Sequence, residues 1–186
     1  MVGDIIKLNG QELLVLDYFD DNPFVICLNT GIETVFNEKK DTNYCNSTLR
    51  TKMKKWVRDT GLDDYVISRN IDLTTMDGSK SYGCLKNETV APLTFDEYRK
   101  YNCIMKPYIK NWFWTCTPWG DPNEDNWASN DVCRVYSDGS ANGSSYDNSY
   151  GLAPAFILSK QFLVEDTKLS VYTTEELLQE IARRVN

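Results

Sequence analysis

Asn111-Trp-Phe-Trp-Thr-Cys-Thr-Pro-Trp119 places three tryptophans and a phenylalanine within eight residues. Burying one large aromatic side chain is worth about 1.5–3 kcal/mol, so such a segment cannot stay in water. It is expected to run as a strand through the middle of a core. Two later stretches answer it, Val135-Tyr-Ser-Asp-Gly-Ser140 and Tyr150-Gly-Leu-Ala-Pro-Ala-Phe-Ile-Leu-Ser159. Between them lies polar sequence rich in glycine, serine and asparagine, which reads as loop. That applies to Gly120–Asp131, acidic with Trp127 in its middle, and to Ala141–Tyr150.

Upstream, Asp4–Leu8, the turn Asn9-Gly10 and Glu12–Tyr18 form a hairpin pattern, Asn-Gly being the preferred pair for a type I′ turn. A second turn at Asp20-Asp21-Asn22-Pro23 leads to Phe24–Leu28, completing a three-stranded meander. A helix follows, capped by Asn46 or Ser47, with Leu49, Met53, Trp56 and Val57 on one face and Gly61 at its end. Lys52, Lys54, Lys55 and Arg58 form its solvated face. Ser68–Glu88 reads as a long loop and Val90–Leu93 as a short edge strand. Thr94-Phe-Asp-Glu97 opens a second helix with a capping box, expected to run to about Tyr101. Cys133–Tyr136 and Ala153–Leu158 are strands, and Phe162–Val164 and Leu169–Tyr172 are further short ones. A closing helix has Thr173 and Glu176 as its capping box. Its stripe of Leu177, Leu178, Ile181, Ala182 and Val185 must bury itself on its own domain, on another copy or on another partner.

Composition narrows the function. The 186 residues fit one domain able to bury about 70% of its unfolded surface. A net charge of −7 opposes direct contact with nucleic acid. No apolar run reaches the roughly 18 residues that span a membrane. The N-terminus lacks a signal-peptide pattern, so synthesis in a cytoplasm is expected. There is no histidine, which excludes the ordinary catalytic triad, a histidine general base and mixed Cys/His zinc sites. The six cysteines make no CxxC pair and read as buried thiols. No cofactor is expected. Asp121, Glu124, Asp125, Asp131 and Asp138 are hard oxygen donors, but their spacing matches no EF-hand and they read as solvated acidic loops.

Taken in order, the landmarks resemble a large uncharacterised family of bacterial and phage domains, whose strongest motifs read WWLRSP and GVRPA. The matching positions are Gly3-Asp4, Thr48-Leu49-Arg50, Pro92-Leu93-Thr94, Trp112–Pro118, Tyr136–Ser140 and Gly151–Ser159. That family resembles the C-type-lectin-like fold of formylglycine-generating enzymes and of phage receptor-binding proteins. The resemblance implies an α+β domain over residues 1–165, with small twisted antiparallel sheets, two helices and a large loop-rich face. Residues 166–186 are a strand and amphipathic helix added to it. It departs at Cys116 and Ala153, where the family's motifs carry arginine; a re-packed apolar core is expected if those arginines share a buried network. Formylglycine-generating enzymes use a cysteine pair, and Cys116 and Cys133 lack the surroundings of that site.

The function expected is non-catalytic recognition of a protein or glycan by a phage-related protein, virion-associated or receptor-binding. The candidate contact residues are Trp127, Tyr136, Tyr146, Tyr150, Asp125 and Asn126, since loops with rigid aromatics and adaptable polar groups suit binding. The other reading is an acidic phage-encoded inhibitor of a host defence or nucleic-acid-processing protein, of the anti-CRISPR kind.

Overall fold

A computed structural model describes residues 1–124 and 127–161, with nothing said of the Trp127 side chain. The sequence expectations for Asp125, Asn126 and the segments from Phe162 to Val185 lie outside the described residues. The described chain is α+β, with antiparallel sheets and two α-helices. Among the described residues no helix is long and apolar enough to cross a membrane.

The N-terminal meander forms as its turns dictate. Strands β1 (Ile5–Leu8), β2 (Gln11–Phe19) and β3 (Asn22–Ile26) pair in sequence order. Asn9 and Gly10 both have positive φ, at 48° and 76°, as a type I′ turn requires. The second turn is tighter than its sequence suggests. Asp20 and Asp21 alone carry the positive φ values, and Asn22 and Pro23 already belong to β3. The remaining strands are β4 (Glu33–Val35), β5 (Val66–Ile67), β6 (Arg69–Asp72), β7 (Cys84–Glu88), β8 (Phe113–Pro118), β9 (Asp131–Val135), β10 (Ala141–Ser145), β11 (Ser149–Gly151) and β12 (Ala155–Leu158). One five-stranded sheet has the order β1-β2-β3-β12-β5 and a second the order β10-β9-β8-β11-β4; β6 and β7 form a separate hairpin.

Both faces of the first sheet are buried along the middle of β2 and along β3, which is why these strands read as unbroken apolar runs rather than alternating ones. From Leu13–Leu16, Leu13 and Val15 enter one core while Leu14 and Leu16 enter another. Helix α1 (Thr48–Asp59) covers the first core with Leu49, Met53, Trp56 and Val57. Helix α2 (Phe95–Met105) covers the second with Tyr98, Tyr101 and Met105. Ser47 caps α1, accepting from the Arg50 amide at 3.0 Å. At the other end Asn9 Nδ2 donates to the carbonyls of Thr60 and Gly61, so the first turn also caps this helix. Thr94 and Glu97 form the expected capping box on α2, and that helix runs one turn beyond Tyr101 because Met105 still buries its side chain.

Strand β8 feeds both cores. Phe113 lies in the second, against Tyr98 and Val135, whereas Trp114 and Cys116 lie in the first. Trp114 is fully buried, edge-on to Phe36 with ring centroids 5.7 Å apart, and its Nε1 donates to the Thr34 carbonyl at 2.9 Å.

Four expectations are corrected. Ser68–Glu88 is not a plain loop, because β6 and β7 pair across it through Ile71↔Leu85 with Ile71 buried. Ala141–Tyr150 is not a loop either; β10 pairs with β9 and β11 with β4 and β8, so glycine and serine here serve close strand packing. Val90–Leu93 is no edge strand: it is buried, bridges Ala155 through Ala91, and its Leu93 carbonyl accepts from the Cys116 amide. Trp112 precedes β8 and is 40% exposed, so the aromatic segment is not wholly interior. At the positions where the family's motifs carry arginine, Cys116 and Ala153 are both buried, but in different cores.

Two stability tests follow from this architecture. Trp114→Ala is expected to cost about 3–5 kcal/mol in urea unfolding, from lost burial and the cavity left behind. The second concerns Asp17, beside a bulge in β2. Hydrogen bonds from Lys100 Nζ and Tyr101 Oη, each 2.7 Å, and from the Tyr18 amide hold its carboxyl down at about 2. An unfolded aspartate titrates near 3.9, so this contribution is complete above about pH 5 and disappears as pH falls towards 2. Asp17 is about a third exposed, and screening limits its contribution to about 1 kcal/mol. Asp17→Asn should therefore destabilise the protein at pH 7, and the gap from wild type should close near pH 2.

Candidate functional site

The period-two alternation of strands places Trp112, Trp114 and Cys116 on one face of the second sheet. Arg134 sits directly opposite Trp114, and Tyr136 two residues further along. Ser144 of β10 and Tyr150 of β11 join them. The result is a ladder of rings running from the core outwards. Buried Trp114 meets Tyr150 edge-on at 4.7 Å, Tyr150 meets Trp112 at 5.6 Å, and Trp112 meets Tyr136 edge-on at 4.7 Å.

Arg134 holds the outer rungs together. Its guanidinium lies over Trp112 at 4.9 Å and over Tyr136 and Tyr150 at 4.7 Å each. Nη1 donates to Ser144 Oγ at 2.9 Å and Nη2 to Tyr136 Oη at 2.7 Å. Ser144 Oγ also lies 3.0 Å from Tyr150 Oη and accepts from Asn148 Nδ2. The three rings thus form an aromatic cage that the protein fills with its own cation. Cation–π attraction and two hydrogen bonds hold the rings in place.

Glycines bring the strands close enough for this. A Cβ on Gly151 would lie 2.8 Å from the Trp112 carbonyl oxygen, where β11 pairs in parallel with β8. The approach lets Gly151 donate its amide to that carbonyl at 2.8 Å. On β10, a Cβ on Gly143 would meet Trp119 Cδ2 at 2.8 Å, so Gly143 makes room for the third indole.

Two adjoining cavities of about 310 Å³ open beside Trp112 and share Glu33 and Asn111. The first also has Lys110, Ser149 and Tyr150 in its wall; the second continues past Ile32 to Leu152. Another cavity, of about 280 Å³, lies at the start of α2. Its wall holds Asp72, Asp96 and Glu97, and the capping box there already engages the helix's first amides.

Of the sequence candidates, Tyr136 and Tyr150 are brought together with Trp112. Tyr146 sits apart, in the turn between β10 and β11, half-buried against the first core. For Trp127 only the backbone is described, in a short 3-10 turn, Trp127–Asn130. Trp112 and Arg134 were missed as site residues. Counting alternate positions from buried Trp114 places Trp112 on its face, a signal obscured when all the aromatics are assigned to the interior, whereas Arg134 joins that face only through the pairing of β9 with β8.

The Tyr136–Ser140 motif has a structural task. Asp138 accepts from the amide and hydroxyl of Ser140, Gly139 has φ 83°, and the Gly139 carbonyl accepts from Tyr98 of α2. Asp121 is likewise engaged, by Ser79, Ser81 and Asn123, which hold its carboxyl at about 2. Among the described residues no group of three or more acidic or cysteine side chains is placed to hold a metal. Of the six cysteines expected to be buried, Cys27, Cys116 and Cys133 are, whereas Cys45 is half-buried and Cys84 and Cys103 are exposed. Desolvation pushes the Cys116 and Cys133 thiols up, Cys133 to about 12, opposite to the shift that activates a nucleophile.

Comparison with known proteins gave no match: no family model, no curated protein and no solved structure matches this chain.

Arg134→Ala should uncouple the outer rings from the sheet, lowering stability by about 1–2 kcal/mol and red-shifting tryptophan fluorescence. Arg134→Lys keeps the charge but loses the planar fork, and is expected to recover only part of both losses.

Proposed function

We propose that this chain is a non-catalytic recognition module of a phage-related protein, virion-associated or receptor-binding, on a C-type-lectin-like scaffold of the bacterial and phage family it resembles. The observation that carries the reading is Trp112, a large indole left 40% exposed yet clamped by Arg134, Tyr136 and Tyr150. An exposed aromatic fixed in advance contributes contact area at little cost in ordering, as binding hot spots do. The contact surface is accordingly the outer end of the second sheet together with the segment Leu28–Glu33. Absence of histidine and the burial of Cys116 and Cys133, whose thiols are pushed up, support binding rather than catalysis. The net charge of −7 keeps a second reading in play, an inhibitor whose acidic surface occupies a basic groove on a nucleic-acid-processing protein.

Affinity capture from bacterial lysate and from purified phage particles separates the two. Wild type is expected to recover a virion or cell-envelope component, and a folded Trp112→Ala/Tyr150→Ala variant to lose it. Recovery of a nuclease complex instead, at low salt and lost at high salt, would favour the inhibitor. Capture that ignores both substitutions would remove this face from consideration.

A further inference from the structure

Building on the recognition reading, we infer that the cavity beside Trp112 takes one pyranose ring of a glycan. Its wall combines two kinds of surface. Trp112 and Tyr150 supply aromatic area, and Glu33, Lys110, Asn111 and Ser149 surround it with polar groups. A pyranose carries the matching pair, C–H groups on its faces and hydroxyls around its edge. The C–H groups lie against the electron-rich face of an aromatic ring, while the hydroxyls exchange hydrogen bonds with carboxylate, amide and ammonium. The volume, about 310 Å³, is at the small end of the range for ligand sites and suits a single ring, with the adjoining cavity next in line for a second.

The polar groups here are unspent. Among the described residues the side chains of Glu33, Lys110 and Asn111 make no hydrogen bond or ion pair, although all three are exposed at one mouth. The carboxylates elsewhere on the loops differ: Asp121 and Asp138 are engaged by neighbouring hydroxyls and amides. One acid and one base offset each other, so the cavity favours a neutral ligand over an ion.

Other ligand chemistries fit less well. A quaternary ammonium would need the aromatic cage, and Arg134 already occupies it with two hydrogen bonds of its own. A stacked nucleobase would bring its phosphate towards Glu33 on a chain of net charge −7. A hydrophobic peptide side chain would leave the ring of polar groups desolvated without partners.

The test is titration of the intact protein with glucose, galactose, mannose and N-acetylglucosamine, then with their short oligomers. The readouts are indole N–H shifts in ¹H–¹⁵N spectra and tryptophan fluorescence. At least one sugar is expected to shift the Trp112 signal saturably, with Trp114 unmoved. Trp112→Ala should abolish the response, Glu33→Gln should weaken affinity about tenfold or less, and Asp121→Asn, remote from the cavity, should leave it unchanged. The inference is overturned if no sugar produces a saturable shift, or if the shift survives Trp112→Ala. Should sugars fail while capture of a protein partner still depends on Trp112 and Tyr150, the glycan assignment falls and the recognition reading stands. If neither sugar binding nor capture depends on these residues, both fall.

Discussion

Strand β8 must satisfy two cores at once, and the alternation of its side chains is how it does so. Phe113 points into the core under α2, and Trp114 and Cys116 into the core under α1. An indole of this size also needs a partner for its N–H once water is excluded, and the Thr34 carbonyl supplies it. That bond ties β8 to β4, between which β11 is inserted. The order of the second sheet and the depth of the first core therefore meet at one side chain. Everything outward along the same face, from Tyr150 to Trp112, is positioned by it.

Around these cores a few buried or half-buried ion pairs join elements distant in sequence. Glu88, 1% exposed, receives Arg50 through Nε at 2.8 Å and Nη2 at 2.6 Å, and Lys54 Nζ lies 3.0 Å from its other oxygen. This clamps the β6–β7 hairpin to the first turns of α1, while Arg50 Nη1 also holds the Cys45 carbonyl. Arg69 of the same hairpin pairs with Glu97 at the start of α2 and lies 4.8 Å over the Phe24 ring. Such pairs add little net stability after desolvation, but leaving one partner alone would be costly. Their effect is to fix where the hairpin sits between the two helices.

The exposed aromatic end gains its character from this rigidity. Trp112 is neither a core residue that failed to be buried nor a side chain free in solvent. It is held by a cation that the sheet itself delivers, through Arg134 paired across from Trp114. The surface so formed sits at the ends of paired strands, with Trp112 just before β8 and Tyr136 just after β9. Recognition by it would be closer to rigid docking than to folding around a partner.

Much of the first half was legible from local chemistry. Asn9-Gly10, Ser47, Gly61 and the Thr94/Glu97 box act within a few residues, and the structure uses them where the sequence places them. The apolar runs Leu13–Leu16 and Phe24–Cys27 likewise read as strands of a meander, and the two cores then bury them on both faces. By contrast, Ala141–Ser145 and Ser149–Gly151 carry turn-like composition, and only pairing with β9, β8 and β4 makes them strands. Gly151 is required there by a carbonyl 39 residues earlier, Trp112. Which tryptophan is buried and which exposed was also undecided locally, since Trp112 and Trp114 share one face of the strand and only the layers packed over each decide its burial. The sequence by itself thus determined the Asn9-Gly10 turn, the helix caps and the two helices, because short-range sterics and hydrogen bonds suffice for those. Tertiary structure alone decided the site: Trp112, Arg134, Tyr136 and Tyr150 become neighbours through sheet order, which long-range burial sets.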